Sequence, residues 1–194
     1  MARPWLFLDL DGVVSPLPPR DIADDEQKFA IPAGHMTWPG ALYRMHVNER
    51  LPDWAAQLDS VYDVVWATSW QTDVLKCVAE PLGLPVWPVL TWPLGATVSR
   101  RMGRGRVAAK TQVILEHLQA DPRPFAWADD HLSRQTPPQP IRELGLEYLL
   151  IRPRRLTGLT AQHLDQLLRF ADQLAGSASA AKRRAVKAGE GGER

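Results

Sequence analysis

Short apolar runs alternate with amphipathic segments along this chain. Runs of strand length, bounded by polar turn residues and rich in β-branched and aromatic residues, predict buried strands. The segments between them have the length and apolar spacing of short helices. Because strands that alternate with helices form a mainly parallel sheet, we predict an α/β fold. The predicted strands cover 5–11, 62–69, 86–90, 124–130 and 147–151, and the predicted helices cover 51–58, 70–82, 110–118 and 159–174.

Two carboxylates end the first apolar run. Asp9 and Asp11 are spaced i, i+2, and Gly12 follows them. Alternate strand residues point the same way, so both carboxylates face one side at the strand's carboxyl end, where open parallel sheets bind ligands. Neighbouring carboxylates repel unless a cation lies between them, which favours a hard divalent ion such as Mg²⁺. A plain Asp-Gly turn would leave Asp9 as an unpaired charge in an apolar strand.

Polar residues also end the later runs. Thr68 and Ser69 close the second predicted strand directly before a predicted helix, where hydroxyl and free N–H groups bind a phosphate oxygen or cap the helix. Asp129 and Asp130 close the fourth predicted strand, either as an acidic site or as a helix-capping pair. These residues predict a site that is shared by several strand ends.

The sequence of residues 9–13, DLDGV, resembles the first motif of the haloacid dehalogenase (HAD) superfamily, whose members are mostly Mg²⁺-dependent phosphohydrolases. The later candidates follow in that family's order, with Thr68, then Lys110, then Asp129 and Asp130. The resemblance covers about residues 4 to 175. It implies a Rossmann-like HAD core, mainly parallel with the first strand central, flanked by helices and carrying a small flap or cap insert after that strand.

The resemblance implies a catalytic role for each carboxylate of the first motif. Asp9 would attack phosphorus and form an aspartyl-phosphate, and Asp11 would act as the general acid and base. Asp11 also argues against a dehalogenase, because dehalogenases of the family lack a carboxylate there. Thr68 would bind the phosphate, or Ser69 if the strand ends one residue later, together with Lys110.

The same resemblance implies a Mg²⁺ site formed by the carboxylates of the first and fourth motifs. Asp129 is the more direct ligand, and Asp130 binds through water or holds Lys110. The predicted metal ligands are Asp9, Asp11, Asp129 and Asp130.

Segments outside these motifs divide the chain further. Within a hydrolase domain over 1–175, the insert at 15–50 would form the flap or small cap, or else a solvent-facing hairpin. Residues 176–194 are rich in Ala, Gly, Ser and charged residues and predict a flexible tail. The segment at 99–106, which precedes Lys110, contains no acidic residue. It is predicted to form either a solvated loop or a surface that binds an anionic substrate. Its arginines are Arg100, Arg101, Arg104 and Arg106.

Bulk composition restricts the class of protein. The chain is 45% hydrophobic and 23% charged, which is typical of a globular domain. The formal net charge is +1, so any electrostatic attraction is local. The single cysteine, Cys77, excludes an internal disulfide and predicts a reducing, cytoplasmic location. No apolar run is long enough to cross a membrane, so no membrane association is predicted.

The leading functional hypothesis is a Mg²⁺-dependent phosphomonoester hydrolase. Its substrate would be a small phosphorylated metabolite, a nucleotide or a nucleic-acid end. The arginines suit phosphates, and the eight tryptophans form either a large aromatic core or a surface on which bases stack. Residues 66–70 resemble a subset of HAD proteins linked to nucleic-acid end repair. No obligate protein partner is predicted. The alternatives are a catalytically silent HAD-fold binding or regulatory module and a HAD phosphotransferase.

Overall fold

The computed structural model describes residues 2–16, 29–30, 36–38, 41–43, 47–93, 102–132 and 136–189. Its strands are β1 (Trp5–Leu8), β2 (Phe29–Ala30), β3 (Met36–Trp38), β4 (Ala41–Tyr43), β5 (Val47–Asn48), β6 (Asp63–Trp66), β7 (Phe125–Ala128) and β8 (Tyr148–Ile151). Its helices are α1 (Leu51–Val61), α2 (Met102–Ala120), α3 (Gln139–Arg142) and α4 (Ala161–Gly189), with a π-helical turn at Leu75–Ala79.

Four parallel strands form the central sheet in the order β6-β1-β7-β8. Strand β1 lies inside the sheet, paired on both sides, so the predicted α/β fold with a central first strand is confirmed. The predicted strand at 86–90 is reduced to one parallel bridge, between Val89 and Trp66. Pro85 and Pro88 lack the backbone N–H that a longer ladder would need.

Alternate residues of β1 enter two separate cores, one on each face of the sheet. Leu6 and Leu8 pack on the face covered by α1 and α4. Phe7 packs on the other face with Ile114 and Leu118 of α2. Because both faces of the sheet are covered by apolar side chains, polar chemistry is restricted to the strand ends.

Six of the seven tryptophans whose side chains the structure describes are buried, and this decides between the two roles for those six. A buried indole ring stabilises the core and offers no exposed face to a base. These tryptophans are core residues rather than a stacking surface: Trp54, Trp66, Trp70, Trp87, Trp92 and Trp127.

The insert between β1 and α1 contains two antiparallel strand pairs. Strand β2 pairs with β5, and β3 pairs with β4. The predicted flap at 15–50 falls on this segment, but 17–28, 31–35, 39–40 and 44–46 lie outside the described residues. A covering role for the insert therefore stays a prediction.

Two predicted helices differ from the observed ones near the site. In place of a regular helix at 70–82, the chain forms turns and the π-helical segment, and it leaves this segment at Gly83 with φ +61°. Helix α2 begins at Met102, so Lys110 lies inside a helix that was predicted to begin at Lys110. The lysine is therefore held on a packed helix rather than at a helix end.

Helix α4 extends to Gly189, and the prediction that it ends at 174 is wrong. The segment predicted as a flexible tail, 176–194, is helical as far as Gly189. Alanine, lysine and arginine favour helix strongly, and extending an existing helix avoids the cost of nucleation. Among the described residues, no helix combines the length and the apolar character that a bilayer crossing needs.

Candidate active site

The predicted site residues lie at the carboxyl ends of three neighbouring strands. Asp9 follows β1, Thr68 lies just beyond β6, and Asp129 follows β7. Leu8 is in register with both Trp66 and Ala128, so these three strands end at the same level. Register and parallel direction therefore bring together polar residues that are far apart in sequence.

Lys110 joins the first and the fourth motif. Its Nζ atom donates to Asp9 Oδ2 at 2.6 Å and to Asp129 Oδ2 at 2.7 Å. The remaining oxygens of these carboxylates accept backbone N–H groups, from Leu10 at 2.8 Å and from His131 at 2.8 Å. Asp129, rather than Asp130, therefore holds the lysine.

Burial and the shared ion pairs shift the pKa values of Asp9 and Lys110. Asp9, Lys110 and Asp129 are 5%, 7% and 3% exposed. Burial raises the pKa of Asp9 from 3.8 to about 6, with Lys110 opposing the shift and Asp129 adding to it. Burial alone would lower the pKa of Lys110, but the two carboxylates more than offset this and raise it. One ammonium group thus lies between two carboxylates, and the site favours a further cation.

Asp11 is oriented by a residue that the sequence motifs did not single out. Trp70 Nε1 donates to Asp11 Oδ2 at 2.8 Å, and Trp70 N donates to Thr68 Oγ1 at 3.3 Å. Burial raises the pKa of Asp11, against the opposing effect of the Trp70 hydrogen bond. Trp70 therefore ties the turn after β6 to the turn after β1. The sequence signals for it were its place two residues after Thr68 and its membership in the 66–70 pattern.

The two candidate phosphate hydroxyls differ in burial. Thr68 is fully buried, and Ser69 is half-buried in the following turn. Thr68 Oγ1 accepts the Trp70 amide, a contact typical of a local side-chain turn that leaves the hydroxyl proton available to another acceptor. The choice of Thr68 as the phosphate ligand stays a prediction.

Four residues could hold a metal ion together. One ligand atom each from Asp9, Asp129, Asp130 and His131 lies within 4.8 Å of the others. The Asp130 side chain is 4% exposed, and its Oδ1 accepts no hydrogen bond from the described residues, although His131 Nδ1 lies 2.7 Å away. A buried carboxylate oxygen without a donor fits a hard cation. Asp11, which was predicted as a ligand, is not a member of this group.

Gly12 makes room for Asp130. It adopts φ +71°, and a Cβ atom at this position would lie 2.7 Å from Asp130 Oδ2. A side chain here would therefore displace a candidate metal ligand, which gives the glycine of the first motif a steric role.

The arginines predicted to bind substrate are not placed by the structure. Arg100 and Arg101 lie outside the described residues. Arg104 and Arg106 belong to α2, but their side chains also lie outside the described part of the chain. Their contact with substrate stays a prediction.

A family match and a similar solved structure support the fold described above. Residues 5–164 match a family described as the HAD domain in Swiss Army Knife RNA repair proteins. The comparison with curated proteins found no match. Among solved structures, the HAD domain of effector protein Lem4 from Legionella pneumophila is similar, with a TM-score of 0.53 and 9% identity, over 88% of this chain and 96% of that chain. At this identity the likeness concerns the fold alone. Since the family match spans most of the chain, this protein belongs to the HAD superfamily, in the family of HAD domains described from Swiss Army Knife RNA repair proteins.

Proposed function

We propose that this chain is a Mg²⁺-dependent phosphomonoester hydrolase that acts through an aspartyl-phosphate on Asp9. The observation that carries the proposal is the Lys110 ammonium group, which lies within 2.7 Å of both Asp9 and Asp129 at the carboxyl edge of the sheet. The ammonium group opposes the rise that burial causes in the pKa of Asp9, and it places positive charge where phosphoryl oxygens would gather. A module that only binds phosphate has no need for a second carboxylate at Asp11.

Asp9 and Asp11 divide the reaction between them. The Asp9 carboxylate attacks phosphorus while the bond from phosphorus to the leaving oxygen breaks, and Asp11 donates its proton to that oxygen. Asp11 then takes a proton from a water molecule that attacks phosphorus, which breaks the acyl-phosphate bond and restores Asp9. The raised pKa of Asp11 supports its role as a proton donor. Lys110 and Thr68 offset charge on the equatorial oxygens.

The donor set fits Mg²⁺, which prefers carboxylate, water and phosphate oxygens. Asp9, Asp129 and Asp130 would hold the ion, and His131 would orient Asp130 from the rim. When bound, Mg²⁺ neutralises the phosphoryl oxygens.

The proposed substrate is a phosphorylated nucleotide or nucleic-acid end. The description of the matching family names RNA repair proteins, which favours such a substrate over a small metabolite. A nucleic-acid substrate would reach Asp9 from the carboxyl edge of the sheet, because the strands themselves are covered on both faces.

Phosphate release with Mg²⁺ tests the proposal. The panel holds an aryl phosphate, sugar phosphates, nucleoside monophosphates and oligonucleotides phosphorylated at the 5′ or 3′ end. Asp9→Asn is the blank, and Asp73→Asn, an exposed carboxylate outside the site, is the matched control. We expect release that needs Mg²⁺, disappears in Asp9→Asn and persists in Asp73→Asn.

Other outcomes identify the alternatives. Mg²⁺ binding without release from any substrate would support the silent binding module. Transfer of the phosphoryl group to an added alcohol, in place of water, would support the phosphotransferase. Full phosphate release by Asp9→Asn would show that Asp9 is not the nucleophile.

A further inference from the structure

An arginine-rich loop follows β8 at the same edge of the sheet as the candidate active site. We name residues 152–158 the arginine loop. It contains Arg152, Arg154 and Arg155, all exposed, and no acidic residue. None of these residues belongs to a motif of the proposed phosphatase chemistry.

Both ends of the arginine loop are attached to site elements. On the side of β8, Asp129 N donates to Ile151 O at 3.0 Å, so the loop starts beside a residue that holds Lys110. On the other side, Leu159 N donates to Val13 O at 2.8 Å, two residues beyond Asp11. The loop therefore runs from the end of β8, beside Asp129, to the turn after β1, along the rim of the carboxylate cluster.

The inside of the loop is closed by a tight turn. Thr157 N and Gly158 N both donate to Arg154 O, at 2.9 and 2.8 Å. Arg155 is directed at the site, with Nε 4.0 Å from Asp130 Oδ2. The turn thus fixes the backbone at Arg154 and Arg155 relative to the cluster.

Several arginines of the described chain bind carboxylates. Arg3 and Arg123 both bind Asp63, and Arg169 binds Asp165. Arg152 and Arg154 form no ion pair with any described residue. Two exposed arginines without an ion-pair partner among the described residues therefore belong to the loop that borders the candidate site.

We propose that Arg152 and Arg154 bind the internucleotide phosphates next to the terminal phosphate, so that the substrate is the end of a single-stranded polynucleotide rather than a mononucleotide. This inference rests on the proposed phosphatase function and names its substrate class. Guanidinium groups match phosphate geometry with paired N–H donors. A mononucleotide has no phosphate beyond the one at Asp9, so it cannot use these two charges.

Kinetics with two substrates test the loop. We compare kcat/KM for a short 5′-phosphorylated single strand with that for an aryl phosphate, in the native protein and in Arg152→Gln, Arg154→Gln and the double variant. We expect the ratio of the two values to fall about tenfold in the double variant, mainly through KM for the oligonucleotide. With lysine at these positions, Arg152→Lys and Arg154→Lys should retain part of the native ratio of kcat/KM values. Arg169→Gln, which removes one exposed charge on α4, should leave this ratio unchanged.

Binding tests the loop without turnover. A fluorescent 5′-phosphorylated single strand is titrated into Asp9→Asn protein, with and without the two arginine substitutions, over a range of salt. Since each phosphate contact on a single strand contributes a slope of about −0.7 in log affinity against log salt, loss of two contacts should reduce the slope by about 1.4. Between about 50 and about 200 mM salt this corresponds to roughly a sevenfold difference.

The results separate the two proposals. If the native protein releases phosphate but the ratio and the salt slope are unchanged by the double substitution, the arginine loop does not bind the strand. If no phosphate is released but the salt slope falls as expected, the loop binds polynucleotide and the phosphatase proposal fails.

Discussion

The indole N–H of Trp70 donates a 2.8 Å hydrogen bond to Oδ2 of Asp11. Trp70 is 8% exposed, so water cannot easily replace this donor. The hydrogen bond occupies Oδ2 of the carboxylate and leaves Oδ1 for the proton transfer that we propose. Trp70 thereby orients the group that we propose as the general acid.

Trp70→Phe should impair substrates with poor leaving groups most. A hydrogen bond to a charged group contributes about 1.5–3 kcal/mol, which corresponds to roughly ten- to hundredfold in kcat/KM. An aryl phosphate with an acidic leaving group needs little proton donation and should lose less than an alkyl phosphate. Trp54→Phe is the matched control, because its buried Nε1 has no hydrogen-bond partner among the described residues. Equal losses on both substrates would assign Trp70 a purely structural role.

Lys110→Met should destabilise the protein as well as remove activity. It leaves Asp9 and Asp129 as buried carboxylates without their shared cation, and breaking such a pair costs about 3–5 kcal/mol. Urea unfolding without Mg²⁺ measures the loss. Lys76→Met, at an exposed position, should leave the free energy of unfolding almost unchanged. Native stability in Lys110→Met would mean that the trio is not formed in solution.

Gly12→Ala should perturb Asp130 as well as the backbone. The left-handed φ costs an alanine about 1–2 kcal/mol, and the contact with Asp130 Oδ2 at 2.7 Å should add to this cost. Gly83→Ala is the control, since Gly83 has φ +61° but no atom within 4 Å of a Cβ. We expect a larger loss in the free energy of unfolding for Gly12→Ala, accompanied by weaker Mg²⁺ binding. Equal losses would show that Asp130 moves aside freely.

Asp130→Asn should weaken Mg²⁺ binding. The substitution removes one negative charge from the group formed with Asp9 and Asp129, and it should weaken Mg²⁺ binding by about tenfold or more. Calorimetric titration of protein stripped of metal by a chelator measures the affinity. Asp172→Asn, on the exposed face of α4, serves as the control. An unchanged affinity in Asp130→Asn would place the metal elsewhere.

Asp63 should make stability depend on acidic pH. Burial acts to raise its pKa, but hydrogen bonds and charge from Arg123 and Arg3 outweigh this and lower the pKa below 3.8. A carboxylate with a lowered folded-state pKa stabilises the protein above its unfolded pKa, and this contribution is lost as pH falls through the lower folded value. Asp63→Asn should therefore be less stable than the native protein at about pH 7, with a difference that shrinks below pH 3.8. A difference independent of pH in urea unfolding would contradict the ion-pair account.

Local sequence patterns were sufficient for the four strands of the central sheet and for the residues at their ends, but not for the predicted strand at 86–90. An apolar run followed by a polar residue indicates a buried strand and the place where it ends, because backbone periodicity and burial are set by a few neighbouring residues. Asp9, Thr68 and Asp129 could therefore be assigned to strand ends from the sequence alone. The motif order then identified the superfamily, which the family match confirms.

Helix ends were predicted less well, because competing local preferences decide them. The segment after Gly176 combines helix-favouring alanine, lysine and arginine with a composition that is also typical of a tail. Its attachment to a helix already packed on the sheet favours the helical form. The prolines at 85 and 88 likewise outweighed the strand preference of their neighbours.

By itself, the sequence determined the fold class and the residues that gather at the carboxyl edge of the sheet, and its resemblance to the HAD superfamily implied the central first strand. Only the tertiary structure decided that Asp129 rather than Asp130 holds Lys110, that Trp70 orients Asp11, and that the arginine loop borders the site. The contacts of Lys110 with Asp9 and of Trp70 with Asp11 join residues 101 and 59 positions apart. Such pairs depend on how strands, helices and loops pack against one another, and periodicity over a few residues carries no information about that packing.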